Sequence, residues 1–473
     1  MREKTAETAK NNLSEIFEKQ RANQYRVAAC NVVERKEKLR KLSKALESTY
    51  RDEIRAAMFA DFGKSATEVD MNEILPLTSE IKFVISNLSD WMAKQRVTTP
   101  ISLLGSRSYF RYEPKGVCLI ISPWNFPFNL TFGPLISAIA AGNTVVLKPS
   151  ELTPHSAALM AKIVEDLFPE DEVALVEGGA DVSTQLLELP FNHVFFTGSP
   201  AIGKVVMAAA AKNLGSVTLE LGGKSPTIVD QTADIKSAAK LITWGKFLNS
   251  GQVCIAPDYV FVHESKKELF LEHVRQYIKA FFGENPLESN SLTGIVNERH
   301  CNRVMGYIDE ALSMGAKLEA GGTKGNGNCI APTVLSNVPM HSALMQNEIF
   351  GPVMPVFTFR DISEVTDFIQ KGEKPLALYI YTKSNKNRDY ILKSTRAGGT
   401  AVNNNVVQYF NSNLPFGGSN NSGIGKSHGF FGFQAFSDAR SVYEQLAPSA
   451  LEYFMPPYSK LKTRLIQMAI KWI

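Results

Sequence analysis

The sequence predicts an α/β protein: a doubly wound parallel sheet, a second α/β unit after it, and a small extended arm. Three observations carry this expectation. Continuous apolar runs such as Val117-Cys118-Leu119-Ile120-Ile121 alternate with helical patterns, as strands covered on both faces by crossover helices do. The chain is 473 residues long, too long for one core at roughly 100–200 residues per domain. Polar and glycine-rich clusters fall just after the apolar runs, where ligands sit in sheets of this kind.

Residues 1 to about 93 read as helices, with apolar residues at three and four spacing through Leu13, Ile16 and Phe17 and again through Leu39, Leu42 and Leu46. The opening Met1-Arg2-Glu3-Lys4 is charged and lacks the apolar segment of a signal peptide. From 97 to 112, Thr, Ser, Tyr and Phe surround Pro100 and Gly105, which reads as two extended segments and a turn. A strand at 117–121 precedes a helix at 128–141, a strand at 144–147, a helix at 155–167 and a strand at 173–176. A short helix near Leu186 and a strand at 194–196 complete the first unit. The second unit is expected from about Glu220, with strands at 227–229, 259–262 and 376–381 and helices near 233–247, 266–281, 300–314 and 387–394. Beyond Thr400 lie Asn403-Asn404-Asn405, Leu414-Pro415-Phe416-Gly417-Gly418 and a loop rich in Gly, Ser and Asn. Within it Gly423-x-Gly425 reads as plain loop, because no strand precedes it.

Hydrophobic residues make up 44% and charged residues 21%, the balance of an ordinary globular protein. No apolar run reaches the ~18 residues of a bilayer-spanning helix. Lys and Arg number 51 against 47 Asp and Glu, and a net +4 is too slight to favour a nucleic-acid partner. After Pro457 the tail carries Lys460, Lys462, Arg464 and Lys471 with no acidic side chain. Its periodicity sets Leu461, Leu465, Met468, Ala469 and Trp472 on one helical face. Such a segment fits a helix packed on a neighbouring subunit, or one lying peripherally on an anionic membrane; it is too short and charged to span. The five cysteines, Cys30, Cys118, Cys254, Cys301 and Cys329, are odd in number and irregular in spacing, and the seven histidines show no ligand spacing. A reduced, cytoplasmic, metal-free protein is expected.

Cys254 stands apart from the other cysteines. Its neighbours, Asn249-Ser250-Gly251-Gln252-Val253 before it and Ile255-Ala256-Pro257 after it, place it on a loop between a helical pattern and a strand. Cys118, inside an apolar strand, and Cys30, on a helix, read as small buried hydrophobes, while Cys301 and Cys329 sit near exposed polar segments. A thiol is a useful nucleophile when a partner or local dipole raises its thiolate fraction. Glu220 ends an apolar run and precedes Gly222-Gly223-Lys224-Ser225-Pro226. It is either an end-of-strand glutamate paired with a lysine or a partly desolvated general base. Asn125, between Pro123 and Pro127, either caps the next helix or offers its amide to an oxyanion, a contact worth roughly 3–4 kcal/mol. Gly198-Ser199-Pro200-Ala201-Ile202-Gly203 follows a strand and opens a helix, where backbone N–H groups can receive a pyrophosphate, although the spacing is not the dinucleotide fingerprint.

Taken together and in order, the segments 123–127, 148–151, 196–199, 220–226, 251–254, 348–352 and 414–418 resemble the motifs of the aldehyde dehydrogenase superfamily, across about residues 25–445. The short N-terminus, Gly-Gly-Lys-Ser-Pro and the basic tail resemble its class 3 branch, the fatty and aromatic aldehyde enzymes. The resemblance implies a cofactor-binding domain over 1–95 and 113–219, a catalytic domain over 220–396, an oligomerisation arm from 96–112 and 397–441, and a separate tail, 442–473. It also implies a homodimer that oxidises a small aldehyde to a carboxylic acid. By that likeness Cys254 attacks the carbonyl, Asn125 and the Cys254 N–H hold the oxyanion, and Glu220 activates the water that opens the thioester. Lys148 and Glu348 correspond to a ribose-binding pair, Phe350 to a residue against the nicotinamide, and Trp124 to a further cofactor contact. Gly198, Ser199 and Gly203 correspond to the pyrophosphate turn. Glu151 would sit near the adenosine ribose and disfavour a 2′-phosphate, so NAD is the expected cofactor, with NADP also accepted in this branch.

Two other readings compete. A CoA-acylating enzyme needs no water-activating base, against which Glu220 argues; a non-catalytic binding protein on this fold would be expected to have lost Cys254, Glu220 or Asn125. Three positions depart from the family pattern: Asn420 where glycine is frequent, Ser427 where tyrosine is frequent, and Asn405 where an aspartate or another residue is frequent. These are expected around the substrate funnel and the arm.

Overall fold

The computed structural model describes residues 2–472; Met1 and Ile473 lie outside the described residues. Helical periodicity in the first part of the chain becomes a layer of helices that includes Arg2–Ala28, Val32–Lys44, Arg51–Phe62 and Leu75–Met92. Asn31 starts the second of these with a reciprocal cap: its side chain accepts from the Val33 and Glu34 N–H groups, and the Glu34 carboxylate accepts from the Asn31 N–H. Cys30 consequently lies in the link before that cap and not on a helix. The inward face of Leu39, Leu42, Leu46, Ile54 and Met58 shares one core with Phe128 and Phe132.

Two short antiparallel strands follow, β1 (Gln95–Arg96) and β2 (Ser106–Pro114). The next strands, β3 (Val117–Ile121), β4 (Thr144–Lys148), β5 (Val173–Leu175), β6 (His193–Gly198) and β7 (Ser216–Leu221), form a parallel sheet. The chain steps outward from β3 through β4 to β5, then returns to the other side of β3 with β6 and continues to β7. That reversal leaves a crevice beyond the carboxyl ends of β3 and β6. Every residue of β3 is buried, which explains its unbroken apolar run; each such Val, Leu or Ile contributes roughly 1.5–3 kcal/mol. Helix Pro127–Ala141 covers this sheet, starting on a proline and ending at left-handed Gly142.

The second sheet contains β8 (Pro226–Val229), β9 (Tyr259–His263), β10 (Lys317–Ala320), β11 (Thr333–Ser336), β12 (Val353–Phe359), β13 (Ala377–Tyr381) and β14 (Gly399–Val402). Its order is β10-β11-β12-β9-β8-β13-β14, parallel throughout except for β10. Strands β10 to β12 are additions to the expected set. β12 contains Pro355, which weakens a strand pattern in sequence although here it is tolerated inside the sheet.

Several divisions differ from expectation. Glu220 belongs to β7 of the first sheet, so the second sheet begins at Pro226. The segment 397–441 is shared between three places: β14 joins the second sheet, β15 (Gly423–Ile424) pairs antiparallel with β7, and only β16 (Ser437–Gln445) reaches β2, running past residue 441. Gly423-x-Gly425 is therefore not plain loop. Gly423 stands opposite Glu220, and a Cβ there would lie 2.3 Å from the Leu219 carbonyl oxygen, so this close approach requires glycine. Cys301, expected near exposed polar segments, is buried on helix Glu298–Ser313, because the polar residues around it occupy the outer face. Helix Lys460–Trp472 exposes Leu461, Met468 and Ile470. Among the described residues no helix is long and apolar enough to cross a membrane.

Candidate active site

Cys254 lies where the two sheets face each other. Helix Ile235–Phe247 ends just before it, and Asn249, Ser250 and Gly251 then adopt three consecutive left-handed conformations, with φ of 49°, 51° and 72°. Such backbone costs of order 1–3 kcal/mol per non-glycine residue and persists only where its surroundings hold it. At Gly251 the fit excludes any side chain, since a Cβ would lie 2.2 Å from the Gly351 carbonyl oxygen. Glu68, from the N-terminal helical layer, supplies the main strap. One carboxylate oxygen accepts from the Asn249 N–H at 2.9 Å and the other from the Thr293 hydroxyl at 2.8 Å. Gln252 adds bonds from its amide to the carbonyls of Asn249 and Gly294, both at 3.0 Å, and accepts from the Val296 N–H at 3.0 Å.

Asn125 joins this loop directly. It is 2% exposed, and its amide donates to the Gln252 carbonyl at 3.0 Å, while its own carbonyl accepts from the Asn249 side chain at 3.0 Å. The residue preceding the helix is Phe126, which makes no side-chain cap, so the capping reading of Asn125 falls away. A buried lysine, Lys64, also reaches the Asn125 carbonyl at 3.4 Å and stands over the rings of Phe62 and Phe126. Its partner Glu73, 3.9 Å away, accepts from the Asn129 N–H at 2.8 Å.

Glu220 and Cys254 line one cavity, together with Leu130, Phe195, Tyr409, Phe416, Ser427 and His428. Glu220 is 5% exposed; its Oε1 accepts from the Ser427 hydroxyl at 2.9 Å, and Oε2 has no hydrogen-bond partner. Burial raises its carboxyl to about 8, opposed by the Ser427 bond and the charge of Lys426. Burial likewise pushes the Cys254 thiol up to about 12, with the charges of Glu348 and Glu220 adding to it and the N–H groups of Cys254 and Ile255 working against it. Both groups are thus held toward their neutral forms, the thiol being the weaker acid of the two. A second cavity reaches Cys254 and is walled by Phe126, Leu130, Leu248, Val253, Ile255 and Val406.

The other expected site residues gather at the crevice of the first sheet. Lys148 ends β4, is 2% exposed, donates to the Pro149 carbonyl at 2.7 Å and stands 3.5 Å from Glu151. Gly198 ends β6, and Ser199 caps the twelve-residue helix Pro200–Ala211 by accepting from the Ile202 N–H at 3.5 Å. Gly203 lies buried further into that helix, facing Leu221, which makes it a packing residue instead of part of the turn. Glu348 sits against Gly222 in a cleft it shares with Gly223 and Lys224, and burial raises its carboxyl to about 8. Phe350, left-handed at φ 44°, packs edge-on against Trp124 with ring centres 5.3 Å apart. Arg303 holds this loop by donating to the carbonyls of Ile349 at 2.9 Å and Phe350 at 3.3 Å. Asn405, expected at the substrate funnel, is buried under helix Ile235–Phe247 and donates to the Tyr381 hydroxyl at 2.6 Å.

Sequence reasoning passed over Lys64, Glu68, Glu73, Arg303 and the partnership of Ser427 with Glu220. The only sequence signal for Glu68 or Glu73 was a carboxylate on an otherwise ordinary amphipathic stretch.

The sequence model of the aldehyde dehydrogenase family matches residues 3–442 of this chain. The chain belongs to that family. Aldehyde dehydrogenase family 3 member H1 of Arabidopsis thaliana is 41% identical over 422 residues, covering 88% of this chain and 87% of that protein. The mouse (Mus musculus) protein called aldehyde dehydrogenase, dimeric NADP-preferring, is 41% identical over 426 residues, covering 89% and 90%. A solved structure described as the substrate-bound state of Staphylococcus aureus AldH superposes with a TM-score of 0.92 at 38% identity, covering 97% of this chain and 99% of that one. The α/β fold with its parallel sheets and the class 3 likeness expected from the sequence are therefore both found, and the chain is an oxidoreductase of the aldehyde dehydrogenase family.

Proposed function

We propose that this chain oxidises aldehydes to carboxylic acids through an acyl intermediate on Cys254, with NAD as cofactor and NADP also accepted. The observation that carries this reading is the shared cavity, into which Cys254 and the half-satisfied carboxylate of Glu220 both project. The Cys254 thiol releases its proton to solvent and its sulfur adds to the aldehyde carbon. The Asn125 amide and the Cys254 N–H receive the oxyanion, on a loop whose strained backbone is already held in place. A bound oxidised nicotinamide would supply the acceptor for the hydride that leaves that carbon. Glu220 then draws a proton from water as it attacks the thioester, which releases the carboxylic acid and restores the thiol. A water-activating base has no part in transfer to CoA, so hydrolysis is favoured over acyl-CoA formation.

The residues present fit a dinucleotide. Lys148 and Glu348 would hold ribose hydroxyls, the turn at Gly198-Ser199 would receive the pyrophosphate, and Trp124 with Phe350 would wall the nicotinamide. Glu151 favours ribose hydroxyls over a 2′-phosphate, while Lys148 beside it offers a compensating cation. The apolar wall of the second cavity at Cys254 supports an apolar aldehyde as substrate. The arm sheet, with Tyr443 exposed on it and Ile101, Leu104 and Leu446 exposed beside it, supports a homodimer.

The test is reduced-nicotinamide absorbance with aldehydes from short aliphatic to aromatic to long-chain, with and without CoA. Cys254→Ser is expected to lose turnover while still binding NAD by calorimetry. Turnover unchanged in that variant, or acyl-CoA as the product, would reject the reading.

A further inference from the structure

Glu220 has two carboxylate oxygens in different situations, and the difference traces to one side chain. Ser427 Oγ stands 2.9 Å from Oε1 and 3.4 Å from the Phe416 carbonyl, whereas Oε2 is buried with no partner. The serine backbone is itself fixed. Its N–H donates to the Phe416 carbonyl at 2.7 Å, and its carbonyl accepts from the Phe416 N–H at 3.2 Å. The same loop is zipped to the strand that carries Glu220, since β15 sets Gly423 opposite Glu220 and Ile424 opposite Leu219. Lys426 closes the loop by donating to the carbonyls of Gly417 and Gly418.

We infer that Ser427 is a positioning residue for deacylation: its hydroxyl holds Glu220 by Oε1 and so leaves Oε2 as the oxygen that takes the proton of the attacking water. The inference rests on the acyl-cysteine reading above and deepens it. A single hydroxyl hydrogen serves whichever form of Glu220 is present. When Glu220 is ionised, Ser427 donates to Oε1, and it keeps that bond when the proton taken from water sits on Oε2. The residue at 427 is short and buried against the carboxylate, so it reaches Oε1 directly.

The charged and titratable groups facing Glu220 are few. Lys426 lies on the Ser427 loop and lowers the carboxyl; Cys254, Tyr409 and His428 line the same cavity. Removing the Ser427 donor leaves desolvation less opposed, so ionisation of Glu220 must move to higher pH.

The experiment uses p-nitrophenyl acetate, an activated ester that acylates a nucleophilic thiol without any dinucleotide, with the full-length protein. A burst of nitrophenolate reports acylation of Cys254, and the steady-state rate reports deacylation. Ser427→Ala is expected to keep the burst amplitude, to slow the steady state about tenfold at neutral pH, and to move its pH midpoint upward by about one unit. Ser427→Thr, which keeps the hydroxyl, is expected to restore both. Ser427→Cys, close in size with a weaker donor, is expected to fall between and carries the test should the alanine variant fold poorly. Unchanged midpoint and rate in the alanine or cysteine variants would overturn the role of Ser427 alone. A wild-type protein with no burst, or a burst surviving in Cys254→Ser, would instead overturn the acyl-cysteine reading.

Discussion

Glu220 is kept in surroundings that favour its neutral form, and that has a cost in stability. Its carboxyl rises from an ordinary 4.5 to about 8 through burial. Between those two pH values the folded chain holds a proton that the unfolded chain releases. The contribution of this side chain is therefore most favourable below pH 4.5 and declines as pH rises toward 8. Glu220→Gln keeps the shape and the acceptor for Ser427 while removing the ionisation. It is expected to raise stability near pH 8 by on the order of 1–3 kcal/mol, read as an upward shift in the urea midpoint that shrinks as the pH is lowered. The same variant is expected to give a normal hydride burst and stall afterwards. A variant no more stable than wild type at high pH would contradict the assigned burial of charge, and loss of the burst would contradict Glu220 as the base for deacylation.

At the scale of elements, the left-handed turn at 249–251 explains why residues far from Cys254 in sequence matter to it. A helix ends, the backbone passes through conformations disfavoured for Asn249 and Ser250, and the Glu68 carboxylate reaches in from another layer to hold the result. Glu68→Ala is expected to destabilise the fold by about 1–3 kcal/mol, because the Asn249 N–H and Thr293 hydroxyl lose a charged acceptor. It should lower kcat by roughly 10²-fold through misplacement of Cys254 and the oxyanion donors, with NAD affinity unchanged. Glu68→Gln retains an acceptor oxygen and is expected to recover most of kcat. Wild-type kcat in Glu68→Ala would show that the turn holds itself. The strands are legible to different degrees for equally physical reasons. β3 and β4 announce themselves because both faces are covered, whereas β12, interrupted by Pro355, does not. β15 escapes notice because its pairing with Glu220 depends on a glycine's lack of a side chain, not on any apolar pattern.

At the scale of the whole molecule, β2 pairs along its full length with β16, bringing residues from opposite ends of the chain into one small sheet. That sheet leaves β16 as an open edge with Tyr443 exposed on it, and Ile101 and Leu104 before β2 and Leu446 after β16 are exposed beside it, a combination that a second copy would cover. Sedimentation velocity is expected to show a dimer, and Ile101→Asp combined with Tyr443→Asp is expected to shift it toward monomer with the circular dichroism spectrum unchanged. A monomeric wild-type protein would remove the basis for reading these strands as an oligomerisation arm.

The sequence by itself determined the class of fold, the placing of Lys148 and Gly198 at the carboxyl ends of strands and of Asn125 and Cys254 on loops, and the family. Those features are written in local terms: apolar runs, prolines and glycines, and short motifs in fixed order. Only the tertiary structure decided that Asn125 bonds to the loop carrying Cys254 and is no helix cap, that Glu220 keeps one oxygen free, and that Glu68, Arg303 and Ser427 support the site. It also decided that Gly203 and Asn405 serve packing. The reason is physical: hydrogen bonds between side chains and distant backbone, and the burial that shifts a carboxyl, exist only once separate layers are brought together, and no local pattern in the chain records which layers will meet.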